Sequence, residues 1–121
     1  MRISEILLES EQPDVAYHIT TESNASEIMK HGLDPRNDSS HEFYGDERRV
    51  YLITNTNNIN EVRGWIEATL EDEGNTDEPL TILKVDVTGL PLKYGNGFYY
   101  STDNIPPNRI TDLGWRELQR Y

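Results

Sequence analysis

A chain of 121 residues is the size of one domain, and a hydrophobic fraction of 35% is enough for one modest core. There is no cysteine, which excludes a disulfide framework, a thiolate nucleophile and a zinc–thiolate site. Twenty-two acidic residues against eleven basic ones give a net charge of −11, which opposes binding to nucleic-acid phosphates and to anionic lipid surfaces.

Ile3, Ile6 and Leu7 fall at helical spacing within Arg2–Ser10, so residues 1–12 are expected to form a short amphipathic arm that Pro13 stops. The arm would pack on the domain or on a partner. No apolar run approaches the roughly 20 residues of a spanning helix, and Arg2 is followed by Ser4 and Glu5 rather than by a secretory leader. The expectation is a cytoplasmic protein.

Val15–Thr20 is β-prone. Asn24 with Glu27 has the form of a capping box, Ala25, Ile28 and Met29 share one helical face, and Gly32 stands where a helix should end, so a helix is predicted over Asn24–His31. Asp34–Arg49 is polar, with the turn chemistry of Pro35 and Gly45; a loop of about fifteen residues is long for a small domain. Arg49–Thr54 reads as a central strand, because Val50, Tyr51, Leu52 and Ile53 are all strand formers or apolar.

Asn58 and Glu61 offer a second capping pair for a helix over Ile59–Glu71, with Val62, Trp65, Ile66 and Leu70 inward and Glu61, Glu67 and Glu71 outward. A charged turn, Glu71–Glu78, leads to a strand over Leu80–Val87 that Gly89-Leu90-Pro91 ends. Phe98, Tyr99 and Tyr100 make Gly95–Thr102 an aromatic strand. Pro106 and Pro107 exclude a helix there, and Asp112–Arg120 can form a short one with Leu113 and Leu118 inward. No repeat or linker divides the chain, so residues 1–121 read as one domain.

The order of these segments carries a resemblance. Tyr17-His18-Ile19-Thr20, followed by Ile28 and Gly32-Leu33-Asp34-Pro35, resembles the opening of the ADP-ribosyltransferase superfamily, which includes the RNA 2'-phosphotransferases. Val50-Tyr51-Leu52-Ile53-Thr54 resembles its second motif, and Leu83–Val87 and Ile105–Ile110 are similar to segments near the end of its compact members. The resemblance implies an α+β fold of two small facing β-sheets with flanking helices and an NAD-sized cleft.

It also implies roles. His18 would donate a ring hydrogen bond to the adenosine-ribose hydroxyls of NAD, and Thr20 would add a hydroxyl. Tyr51 would lie against nicotinamide, and the backbone of Tyr17–Ile19 would hold the carboxamide. Cleavage passes through an oxocarbenium-like state that a fixed negative charge stabilises. Toxin-type members supply a glutamate from the strand before the final turn; here that stretch reads Gly97-Phe98-Tyr99-Tyr100-Ser101-Thr102, and Tyr99 or Tyr100 takes the third position. Independently of the family, Arg48 and Arg49 offer guanidinium forks suited to pyrophosphate.

Two functions stay open. One is a protein that binds NAD or a related nucleotide and transfers ADP-ribose to a macromolecular target, with a protein the favoured target. The other is an inactive interaction module or acidic inhibitor of the same fold. The pair His41-Glu42 and the pair Asp46-Glu47 lack the spacing of a metal-binding helix or calcium loop, so no metal is expected. Phosphate-loop and nucleophile-elbow motifs are absent.

Overall fold

Alternation along the first strand, β1 (Val15–Thr21), sets the layout. Successive side chains of a strand point to opposite faces, and here both faces are covered. The computed structural model describes residues 13–35, 49–74, 78–95 and 97–121, and the expected N-terminal arm, Arg48 and most of the polar loop lie outside these. β1 pairs antiparallel with β3 (Leu80–Asp86) over its whole length, from Val15 opposite Asp86 to Thr21 opposite Leu80. β3 in turn pairs with β6 (Ile110–Asp112), giving a sheet of order β1-β3-β6.

Ala16, Leu83, Val85, Val87 and Ile110 face one hydrophobic cluster, which helix α1 (Glu22–His31) enters through Ala25 and Ile28. Ile19, Leu80 and Ile82 face a second cluster on the other side. Helix α2 (Ile59–Asp72) covers that side with Ile59, Val62, Ile66 and Leu70, and the short α3 (Trp115–Leu118) adds Leu118. Each fully buried Leu or Ile contributes about 1.5–3 kcal/mol, so a sheet sandwiched between two clusters is where most of the apolar stabilisation collects.

The second sheet has the order β2-β5-β4, from β2 (Val50–Leu52), β4 (Lys93–Gly95) and β5 (Phe98–Ser101), all antiparallel. Val50 and Leu52 complete the first cluster, so the two sheets share one core. Among the described residues one backbone bridge joins the first sheet to the chain just after β2. Tyr17 and Ile53 exchange two hydrogen bonds of 2.7 Å each, just beyond the end of β2.

The structure moves several expected boundaries. α1 starts at Glu22, two residues before Asn24, because the Thr21 hydroxyl caps it by accepting the Asn24 N–H at 3.2 Å. Asn58 makes no side-chain cap; Asn55 instead accepts the Asn57 N–H and opens a 3-10 turn over Thr56–Asn58 that runs into α2. Trp65, expected inward, is 54% exposed. Pro107 does begin a 3-10 turn, Pro107–Arg109, since proline at a first helical position forfeits no bond. The last helix is four residues long, and β4 and β6 are strands that the sequence pattern does not announce. Among the described residues no helix is long and apolar enough to cross a membrane.

Candidate functional site

His18 and Tyr51, 33 residues apart in sequence, meet where the two sheets part. In an antiparallel ladder continuing from the Tyr17–Ile53 bridge, Ile19 would face Tyr51. The pairing stops instead, and the His18 ring reaches across: its Nδ1 lies 3.1 Å from the Tyr51 carbonyl oxygen. A carbonyl only accepts, so Nδ1 carries a proton and donates. Toward a ribose hydroxyl, Nε2 would accept from the neutral ring and donate from the protonated one, and it is enclosed by protein, with His18 only 4% exposed.

The same bridge decides which backbone groups face the gap. Tyr17 spends its N–H and one lone pair of its C=O on Ile53. The even residues Ala16, His18 and Thr20 direct their backbone groups to β3, so Ile19 is the residue of the Tyr17–Ile19 trio whose peptide edge faces the parting sheets. The side chains of Tyr17 and Ile19 belong to the second cluster, where Tyr17 meets Tyr121. Thr20 shares His18's face and is buried.

Tyr51 points away from the core side of its sheet, as its neighbours Val50 and Leu52 fill that side. On the outer face it meets an aromatic row. Its ring centroid lies 5.5 Å from Tyr100 and 6.4 Å from Phe98, and Phe98 lies 6.1 Å from Trp65 of α2. Arg49, two residues before Tyr51 and so on the same face, places its guanidinium carbon 4.2 Å above the Tyr100 ring and donates from Nη1 to the Tyr51 hydroxyl at 2.9 Å. This arginine therefore packs on two tyrosine rings of the second sheet.

Tyr99 does not join them. It stands opposite Leu52 in the register and stacks edge-on with Tyr94 at 5.1 Å, on the other face of β5. Of the two candidates for the third position, Tyr100 is the one beside Tyr51. No acidic side chain belongs to β5, and Asp103 is exposed in the following turn, where its N–H and C=O bond the Ser101 hydroxyl. The pair His41-Glu42 and the pair Asp46-Glu47 lie outside the described residues.

Trp65 and Phe98 are the site residues that sequence reasoning missed. Phe98 has a signal, the i, i+2 spacing with Tyr100. Trp65 has none, because helical periodicity assigns it to the core. Comparisons with protein-family models, curated proteins and solved structures find no match to this chain.

Proposed function

We propose that this chain is an ADP-ribosyltransferase-like module that binds NAD or a related nucleotide where its two sheets part. The observation that supports the reading most is the His18–Tyr51 junction: the two motif residues of the resemblance lie on different sheets and are joined there by a side-chain hydrogen bond. Arg49 supplies a cation on the same face as the Tyr51 ring, suited to a phosphate. Ile19 offers a peptide edge for a carboxamide.

Transfer of ADP-ribose by such a site is slow in isolation. No carboxylate of β5 stands near Tyr51 to stabilise the positive charge developing on the ribose, and losing one preorganised group of this kind costs about a hundred- to a thousandfold in rate. A target that carries its own carboxylate offsets part of that loss by proximity. A second reading, a module that acts by binding alone, is favoured by the enclosure of His18, since a hydroxyl reaching Nε2 must first displace its surroundings.

The test is a melting curve with NAD, ADP-ribose and nicotinamide. A ligand at a hundred times its dissociation constant stabilises by about 2.7 kcal/mol, which for a domain of this size raises the melting temperature by roughly 10 °C. His18→Ala should remove most of the shift. Unmoved curves at millimolar concentrations of all three would leave the binding-only module with a macromolecular partner.

A further inference from the structure

We infer that the outer face of the second sheet is a platform for a mononucleotide, with Trp65 and Phe98 taking the flat base and Arg49 its phosphate. The inference rests on the nucleotide-binding reading above and assigns it two residues, Trp65 and Phe98, that lie outside the motif resemblance. Trp65, Phe98, Tyr51 and Tyr100 form one contiguous row, each ring 5.5–6.4 Å from the next. Folding gains little from a tryptophan held 54% exposed in edge-on contact with a half-buried phenylalanine, whereas such a ring offers stacking area at small entropic cost.

The cation at the other end is fixed in place. Arg49 is oriented from below by the Tyr100 ring and from the side by the Tyr51 hydroxyl. Gly95 keeps the neighbouring strand low: a Cβ there would come within 3.3 Å of Tyr100 and 3.6 Å of the Arg49 Nη1. A row of rings whose exposed member, Trp65, can stack a base on its own face, ending in a positioned guanidinium, matches a ligand with a flat ring at one end and a phosphate at the other.

Charge selects a single nucleotide over a strand. Along a polynucleotide every further phosphate meets the field of a chain with net charge −11, while one phosphate can sit against Arg49. The ligand class is therefore a nucleoside mono- or diphosphate, free or as half of a dinucleotide.

The tryptophan content makes this measurable, since Trp65 and Trp115 are the two tryptophans of the chain. In Trp115→Phe protein, whose emission comes from Trp65 alone, titration with AMP or ADP-ribose should quench fluorescence. Adenosine should quench about tenfold more weakly, and ribose 5-phosphate not at all. Calorimetry should show that Trp65→Ala weakens AMP about tenfold, within the range of base–aromatic stacking. Arg49→Gln should weaken AMP but not adenosine, and Arg49→Lys should recover part of the loss. A cooperative melt for each variant separates these effects from unfolding.

If NAD raises the melting temperature through His18 while Trp65 emission stays constant, the platform is wrong and the proposed function survives. If AMP quenches Trp65 but His18→Ala changes nothing, the platform stands and the ADP-ribosyltransferase reading fails. Tighter binding of an oligothymidylate than of a thymidine monophosphate would overturn the choice of a mononucleotide. No quenching by millimolar AMP or ADP-ribose, with calorimetry on the unsubstituted protein also silent, would overturn the platform itself.

Discussion

Gly32 lies so close to Ile105 that a Cβ on it would fall 2.2 Å from the Ile105 carbonyl oxygen. The contact arises because Leu33 and Ile105 exchange two backbone hydrogen bonds of 2.9 Å, drawing the chain after α1 against the segment before the Pro106-Pro107 turn. Gly32 also holds φ at 88° and ψ at 177°, a region open essentially to glycine. Gly32→Ala should cost about 3 kcal/mol from the backbone conformation alone, before any steric displacement. A urea titration at unchanged m-value measures it, and a loss below about 1 kcal/mol would show that the Leu33–Ile105 bridge yields readily.

His18 is the second test. His18→Leu removes the donor to the Tyr51 carbonyl at roughly constant bulk, and a buried carbonyl left without its donor costs about 1–3 kcal/mol. Tyr51→Phe leaves that backbone bond intact and removes the hydroxyl that accepts from Arg49, so it should cost under about 1 kcal/mol in stability. Equal destabilisation by the two would mean that the side-chain pin between the sheets carries no special weight.

The register of β5 separates two neighbouring tyrosines. Tyr99→Ala should leave nucleotide-induced stabilisation unchanged, because its ring sits with Tyr94 on the opposite face. Tyr100→Ala should lower it at least tenfold in affinity, since Arg49 loses the ring beneath it. The reverse pattern would place the ligand on the Tyr94 side.

The pH dependence has two arms of opposite sign. Burial first, and then the neighbouring Tyr17 phenol, push the Tyr121 hydroxyl above the usual tyrosine value. The folded state holds that proton more tightly than the unfolded chain, so the stability it contributes is complete below about pH 10 and lost as pH rises through the folded value. Hydrogen bonds from Thr88, with a smaller effect of Arg109, hold the Asp86 carboxyl below the usual aspartate value. Its contribution is present above about pH 4 and lost as pH falls through the folded value. Tyr121→Phe should flatten the alkaline arm of denaturant midpoint against pH, and Asp86→Asn the acid arm. The Asp86 effect should be the more sensitive to salt, because that carboxylate is exposed.

How far the sequence speaks can be judged from the same residues. β1 and β3 are legible from runs of β-prone residues, and the two long helices from apolar residues at helical spacing. Lys93–Gly95 and Ile110–Asp112 are three residues each and become strands only because Phe98–Tyr100 and Leu83–Val85 offer them backbone partners. The caps misled where a threonine or asparagine three residues earlier closed the turn first. At the site, sequence could place His18 and Tyr51 on strands, but their junction depends on where β1 and β2 stop pairing. Trp65 was unreadable because a helical period cannot tell which side of a stripe a second sheet leaves open.

The strands of the first sheet come from the beginning, the middle and the end of the described chain: Val15 is opposite Asp86, and Leu83 is opposite Asp112. Loop-closure entropy has to be met before either pairing yields anything, so the domain should fold more slowly than a helical protein of its length. During synthesis β1 emerges long before Leu80–Asp86, its ladder partner, and it carries Ile19 and Tyr17 uncovered in the meantime. Until β3 arrives, this segment is the part of the nascent chain most in need of a chaperone.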